Sequence, residues 1–485
     1  WVLTAACGVS GVLLALRAFA GGPVDVWVTI ARPLNLSSAA AVSWLLILVL
    51  RSRGGKEGRE VSGLDRWPLG LLALILGVTL AAYWESLWFP FVSDDYVIVS
   101  RALKGELWDR ALTEGDAGVA FRPLSRLLFA AQGLAGSADP VRWHIPGLAL
   151  HLGCTALLFF VARRFVSAGG ALFATALFGL HGSHPEAVIW MNSRSDVMAA
   201  FFSLIALLLL LPEDRWPGRA RQGLAVALVA LAILSKESAY AFVLLAWVLL
   251  VARDGFAWKS VRVLAPLVAL EAVLFAHRAM VLGGIGGYVS AATGRSMFLD
   301  LNVVRVLKTF LWRMWMVLVF PVNWSVARPL LLGLGFLLAT AGLMALSRAR
   351  VQRRTLLAFA ALPAVALVPA LPLSLLGTDM HGARLYYLPS VGVALLFGAA
   401  WDGLRLRGLR LAAAGLVVFQ LVALRHQLGV WETVARLAGR TCEEAAGAGA
   451  GVGVHPDSVD GIFFLGNGFE ECAELRRGQP EATRR

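Results

Sequence analysis

The chain has 485 residues, of which 58% are hydrophobic and 15% are charged, and its mean hydropathy is +0.72. Because a soluble domain has about 45–50% apolar and about 25% charged residues, this composition excludes a soluble protein. The net charge of +13 would suit a nucleic-acid-binding protein. However, the arginines cluster in short loops between apolar runs, which is typical of cytoplasmic loops in membrane proteins.

Apolar runs recur along the chain and predict about thirteen membrane-spanning helices. The first two, residues 2–20 and 34–50, precede a basic loop at 51–56 that we place in the cytoplasm. The next run, residues 67–88, then leads outward. With this orientation, arginine-rich short loops lie on one side, and loops with acids, histidines and aromatics lie on the other. The sequence therefore predicts an all-α polytopic membrane protein.

Two segments are amphipathic rather than apolar. Residues 97–136 predict two helices in the membrane interface, next to the outer end of the run 67–88. Residues 302–320 place Arg305, Lys308 and Arg313 among apolar residues, which predicts an interfacial or re-entrant helix.

The C-terminal part is polar and follows a last spanning helix predicted over residues 411–424. In this tail, residues 461–465 resemble one strand. Two of the four cysteines, Cys442 and Cys472, also lie there. A disulfide outside the cytoplasm and two free thiols are both compatible with these positions.

Two adjacent carboxylates, Asp94 and Asp95, follow the run 67–88. Charges next to hydrocarbon are costly, so they are a functional hypothesis by default. One carboxylate could act as a general base that removes the proton of an acceptor hydroxyl. A helix-end cap beside a solvated acid explains the pair equally well, and the sequence leaves both open. Adjacent positions do not share a helix face, so the two acids are expected to have different partners.

Four basic side chains are predicted on the outer side: Arg122, Arg194, Lys236 and Arg384. Such cations could neutralise the charge that develops on a lipid phosphate leaving group. The alternative is local pairing, of Arg194 with Asp196 and of Lys236 with Glu237. Arg384 stands before Tyr386 and Tyr387, which also fits an aromatic belt with a snorkelling arginine.

The loop His184-Pro185-Glu186 could bind a metal or a substrate. Its spacing differs from the His-x-x-x-His pattern of zinc enzymes, so the metal hypothesis is weak. For His184 alone, a structural loop with a proline is the more frequent explanation.

Five motifs stand in order along the chain. They are Asp94-Asp95, Phe121-Arg122-Pro123-Leu124, His184-Pro185-Glu186 with Arg194-Ser195-Asp196, Ser235-Lys236-Glu237, and Arg384-Leu385-Tyr386-Tyr387-Leu388-Pro389-Ser390. In this order they resemble the GT-C glycosyltransferases, most closely the transmembrane and tetratricopeptide repeat-containing O-mannosyltransferases and their bacterial relatives. The resemblance covers residues 67–431, and no tetratricopeptide period is found in the tail that follows.

The resemblance implies a GT-C-type bundle in three parts. Residues 1–66 would hold two helices and a basic cytoplasmic loop, residues 67–431 the catalytic domain, and residues 432–485 an extracytoplasmic tail. It implies a polyprenyl-phosphate-linked sugar donor, with mannose as the suggested sugar. The acceptor, a protein or a glycan, would receive the sugar with inversion on the outer side of the plasma membrane.

The resemblance also implies roles for residues. Asp94 or Asp95 would match the catalytic acid of the first outer loop, with Asp94 favoured. Arg122, Lys236 and Arg384 would bind the donor phosphate. The remaining substrate-binding candidates are His184, Glu186, Arg194, Asp196, Glu237 and Tyr387. No cofactor is assigned, a divalent metal is left open, and no nucleic acid is expected.

A transporter or flippase of a lipid-linked or anionic substrate is the main alternative. It predicts internal repeats and charged residues at mid-membrane. The sequence shows no repeat, and its polar motifs lie at helix ends on one predicted side. A catalytically inactive subunit is a third alternative, which the intact acidic pair disfavours.

Overall fold

The computed structural model describes residues 66–108, 119–212, 217–287, 302–323, 326, 329–373, 380–448 and 456–477. The helices predicted over 2–20 and 34–50 lie outside these residues.

The described part of the chain is mostly helical. Its α-helices are Arg66–Tyr83, Asp94–Leu103, Pro123–Gly133, Pro140–Arg163, Ala168–Gly179, Pro185–Val188, Arg194–Leu210, Arg219–Ser235, Phe242–Asp254, Trp258–Leu282, Val303–Lys308, Met314–Val319, Pro329–Leu346, Arg353–Leu367, Tyr387–Asp402, Arg407–Ala448 and Phe469–Arg477. Short 3₁₀ segments are Trp84–Trp88, Met191–Ser193, Glu237–Ala241, Val368–Leu373 and Ala383–Tyr386. Among the described residues, β-structure is limited to an antiparallel hairpin of Ser458–Val459 and Ile462–Phe463.

Seven helical segments in the described part are long and apolar enough to cross a membrane, and two shorter helices are also apolar. This confirms the prediction of an all-α polytopic membrane protein. The total of about thirteen crossings stays a prediction.

The centre of the bundle is the segment Ala383–Asp402. In its most apolar 18-residue stretch 94% of the residues are buried, compared with 22% in the corresponding stretch of Trp67–Trp88. An apolar segment with an exposed surface suits contact with lipid. Small residues allow the central helix to approach its neighbour closely. A Cβ added to Gly398 would lie 2.7 Å from the carbonyl oxygen of Gly170, so only glycine permits this packing.

The segment after Trp67–Trp88 contains the two predicted helices, Asp94–Leu103 and Pro123–Gly133. The first of them begins at Asp94 itself rather than at residue 97. Residues 303–319 form a helical segment that contains one π-helical turn, Thr309–Arg313. Its interfacial or re-entrant position stays a prediction.

The last helix is longer than predicted. It spans Arg407–Ala448, 42 residues, instead of 411–424, so the boundary predicted at residue 431 falls inside it. At 1.5 Å per residue it is about 63 Å long, roughly twice the hydrocarbon thickness of a bilayer. The predicted end at residue 424 is the point where the apolar run stops, and an apolar run defines a membrane span rather than a helix. The helix can continue beyond it because no proline is present between residues 407 and 448.

The tail folds back onto this helix. A disulfide joins Cys442 to Cys472, with their Cα atoms 5.6 Å apart, so the disulfide alternative is confirmed and the free-thiol alternative is wrong. The single strand predicted over 461–465 contributes instead the second strand of the hairpin.

Candidate functional site

A cavity of about 400 Å³ lies where several helix ends meet the C-terminal segment. Five of the predicted site residues line it: Asp94, Arg122, Lys236, Glu237 and Arg384. The structure thus brings the carboxylate of Asp94 to the same space as three cations from distant parts of the chain.

Asp94 begins the helix Asp94–Leu103, and both of its carboxylate oxygens accept hydrogen bonds. Asn192 Nδ2 donates to Oδ2 at 2.7 Å, and Asn467 Nδ2 donates to Oδ1 at 2.9 Å. A negative charge in the first turn also interacts favourably with the helix dipole. Asp94 is partly exposed and lines the cavity, so its carboxylate is both held in place and accessible.

Asp95 has a different environment. It is 1% exposed and accepts a hydrogen bond from the backbone N–H of Asn192 at 3.3 Å. Burial raises the pKa of Asp95 well above its usual value, and the hydrogen bond from Asn192 only partly opposes this. The two acids were expected to have different partners, and this is confirmed in part. Both contact Asn192, but Asp94 accepts from its side-chain amide and Asp95 from its backbone N–H. Of the two, only Asp94 lines the cavity.

Arg122 and Glu237 form a bidentate ion pair at the cavity wall. Arg122 Nε donates to Oε2 at 2.9 Å and Nη2 to Oε1 at 2.5 Å, and the side chains are 21% and 18% exposed. Burial raises the pKa of Glu237, but the charge and hydrogen bonds of Arg122 outweigh it, so the pKa lies below the usual range. This pair fixes the guanidinium group at the cavity.

Lys236 and Arg384 are also paired with carboxylates. Lys236 Nζ contacts Asp196, and Arg384 Nη1 contacts Glu186. Burial lowers the pKa of Lys236, and the neighbouring charge of Asp196 opposes that shift. Asp196 and Glu186 therefore support the cations from behind and do not line the cavity themselves.

The predicted local pairs are wrong. Lys236 pairs with Asp196, and Glu237 pairs with Arg122, rather than each acid with its near neighbour in sequence. Arg194 and Asp196 are two positions apart on a helix and therefore do not share a face. Lys236 has an extended backbone directly before the 3₁₀ segment Glu237–Ala241, and its side chain and that of Glu237 have different partners.

Arg194 lies in the protein interior at 1% exposure. It donates to Gln132 Oε1 at 2.5 Å and to the carbonyl oxygen of Trp143, and its guanidinium lies 5.1 Å from the ring centre of Phe129. It does not line the cavity, and its role in substrate binding stays a prediction.

His184 and Tyr387 also lie behind the cavity. His184 Nε2 is 2.9 Å from Ser390 Oγ, and its ring stacks on that of His181 at 4.9 Å. Burial lowers the pKa of His184 well below its usual value, which keeps the ring neutral. The Tyr387 hydroxyl is 2.7 Å from His151 Nδ1. Within the part of the chain that the structure describes, no group of three or more His, Cys, Asp or Glu residues could hold a metal ion.

One wall of the cavity is aromatic and was not predicted as a site. Phe463 stacks on Trp190 at 4.3 Å and meets His381 edge-on at 4.4 Å. The Arg384 guanidinium lies 4.7 Å from the Trp190 ring and 5.2 Å from the Phe463 ring. Trp190 stands in a sequence segment that also contains the polar residues Asn192, Arg194 and Asp196. Phe463 and Asn467 carried no such signal, because the tail reads as a separate segment.

A second, mostly apolar pocket of about 470 Å³ is adjacent to the polar cavity. Its lining includes Val268 and Phe275 from the helix Trp258–Leu282, together with the charged side chains of Glu271 and Arg278 from the same helix. It shares Glu237 and Pro369 with the polar cavity. Together the two spaces can accommodate a molecule with an anionic, hydrogen-bonding head and an apolar chain.

The resemblance to the O-mannosyltransferases is confirmed by comparison with known proteins. No protein-family model matches the chain. The chain is similar to human protein O-mannosyl-transferase TMTC3, 29% identical over 184 residues, which is 34% of this chain and 20% of that protein. It is also similar to Drosophila melanogaster Tmtc2, 34% identical over 147 residues, which is 29% of this chain and 16% of that protein. The chain therefore spans about a fifth or less of the curated relatives it matches.

Solved structures show only a distant likeness. The mycobacterial arabinofuranosyltransferase AftD superposes on 81% of this chain and 29% of its own, with 18% identity and a TM-score of 0.46. ArnT from Cupriavidus metallidurans, bound to undecaprenyl phosphate, superposes on 85% of this chain and 89% of its own, with 15% identity and a TM-score of 0.45.

Proposed function

We propose that this chain is an integral-membrane glycosyltransferase that moves a sugar from a polyprenyl-phosphate-linked donor to an acceptor hydroxyl. The observation that supports it most is the shared cavity, in which Asp94 lies with Arg122, Lys236 and Arg384. Its curated relatives are named protein O-mannosyl-transferases. Mannose and a protein hydroxyl are therefore the first substrates to test.

In the proposed reaction, the acceptor oxygen attacks the anomeric carbon as Asp94 removes its proton. The bond between the anomeric carbon and the phosphate oxygen breaks, and the electron pair leaves with the phosphate. Arg122, Lys236 and Arg384 stabilise the charge that develops there, because they are fixed in place before the reaction by their carboxylate partners. A single displacement of this kind inverts the configuration at the anomeric carbon.

The adjacent apolar pocket accounts for the lipid part of the donor. A polyprenyl chain would lie along Val268 and Phe275 in the apolar pocket. Its phosphate would extend past Glu237, which both spaces share, to the basic side chains of the polar cavity. In the proposed orientation, the reaction takes place at the edge of the plasma membrane, on its outer side.

The proposal is tested with the full chain in liposomes that contain a radiolabelled polyprenyl phosphate mannose. Membrane proteins from cells lacking the gene serve as acceptors. We expect label to move from the lipid to protein, and Arg384→Gln to slow this about 10- to 100-fold through loss of one charged contact. Arg407→Gln, an exposed arginine away from the cavity, is the matched control and should retain the full rate.

Two results would contradict the proposal. Label that crosses the bilayer but stays on the lipid would identify a flippase. If Arg384→Gln transferred sugar at the wild-type rate, Arg384 would not stabilise the donor phosphate.

A further inference from the structure

The C-terminal segment, residues 456–477, contacts the turn that carries Asp94. Asn467 Nδ2 donates to Asp94 Oδ1 at 2.9 Å, and the backbone N–H of Ser93 donates to the carbonyl oxygen of Phe464 at 2.5 Å. Asn467 is separated from Asp94 by 373 positions in the sequence. The tail therefore supplies one of the two amide groups that hold the candidate base.

Ser93 has an unusual backbone conformation, with φ 48° and ψ −127°. A positive φ is disfavoured for a residue with a Cβ, and such residues persist where surrounding structure holds them. The hydrogen bond to Phe464 is such a restraint. It acts on the residue immediately before Asp94, so the tail also influences the direction in which the helix begins.

The approach of the two backbones requires a glycine. Gly468 has φ +85°, and a Cβ added to it would lie 2.5 Å from the carbonyl oxygen of Ser93. The segment is fixed on both sides of this contact. Phe463 stacks on Trp190, and Cys472 is bonded to Cys442 of the last long helix.

From these contacts we propose that the C-terminal segment completes the candidate active site, with Asn467 as a positioning residue that orients the Asp94 carboxylate. The inference rests on the proposed function. Asn467 acts through Asp94: its amide holds one carboxylate oxygen while Asn192 holds the other, so the carboxylate cannot rotate away from an incoming hydroxyl.

Kinetics of two Asn467 variants in the sugar-transfer assay test this role. Asn467→Ala removes the donor, and we expect kcat to fall about tenfold with the KM for the donor lipid unchanged. Asn467→Asp keeps the shape but places a second carboxylate against Asp94, and we expect a larger fall. If Asn467 only filled space, Asn467→Asp would retain a higher kcat than Asn467→Ala, because aspartate is nearly isosteric with asparagine.

The matched control is Asn302→Ala. Asn302 Oδ1 accepts a hydrogen bond from the backbone of Val304 at 2.9 Å and does not line the cavity, so its variant should retain the wild-type kcat. Wild-type kinetics for Asn467→Ala, or a faster Asn467→Asp than Asn467→Ala, would overturn the positioning role.

Hydrogen–deuterium exchange tests the same contact without relying on activity. In Gly468→Ala we expect faster exchange in the peptide over residues 89–103, because the added methyl group displaces the tail from Ser93. Unchanged exchange there would overturn the contact. A wild-type protein that transfers no sugar would instead refute the proposed function, while the exchange measurement would still decide whether the tail holds this turn.

Discussion

Replacing Lys236 with methionine should destabilise the protein strongly. The side chains of Lys236 and Asp196 are 5% and 6% exposed, and they form a buried ion pair in which Lys236 lines the cavity and Asp196 lies behind it. Removing one member leaves the other charge buried without its partner, which typically costs about 3–5 kcal/mol. Lys236→Met is therefore expected to lower the free energy of unfolding by about that amount. The double variant Lys236→Met with Asp196→Asn should recover much of it, since neither charge then remains.

The free energy of unfolding can be measured in mixed micelles, by titration with SDS and circular dichroism. Lys104→Met is the matched control, because Lys104 pairs with Glu474 at 2.9 Å but the two side chains are 46% and 53% exposed. Exposed pairs contribute little, so this variant should unfold like the wild type. A Lys236→Met protein whose stability lies within about 0.5 kcal/mol of wild type would refute the reasoning, since that is the range of surface substitutions.

Two further predictions concern pH and the tail. The pKa of Glu237 lies below its usual range because Arg122 stabilises the charged carboxylate. The ion pair therefore stabilises the fold at pH values above the ordinary pKa of a glutamate. This contribution is lost as the pH falls from that value through the lowered pKa of Glu237. Unfolding measured against pH should therefore show a smaller acid-side loss in Glu237→Gln, and identical profiles would contradict the assignment. Reduction of the bond between Cys442 and Cys472 should slow migration in a denaturing gel, whereas Cys442→Ser should migrate identically with and without reductant. A wild-type band that does not shift would argue against the disulfide.

The sequence predicted the parts of the site that lie at helix ends. Asp94 follows an apolar run, and Lys236 and Arg384 also stand where apolar segments meet polar loops, so the topology placed them on one side. Because charges at such positions are costly, their presence already indicated a function. The structure brings these residues to one cavity.

The sequence did not predict how these residues are supported. The partner of Lys236 is Asp196, 40 positions away, and only packing of the two helices brings them together. The contribution of Asn467 was also missed. The tail has no apolar periodicity to show which face is buried, and a hydrogen bond to a residue 373 positions away leaves no local pattern.

The most direct test of the account is the initial rate of sugar transfer by Asp94→Asn. This variant keeps the size of the side chain but removes the base that lines the cavity. We expect the rate to fall by about 10²- to 10⁴-fold, the usual contribution of general base catalysis, with binding of the lipid donor retained. A folded Asp94→Asn protein that transfers sugar at the wild-type rate would contradict the account.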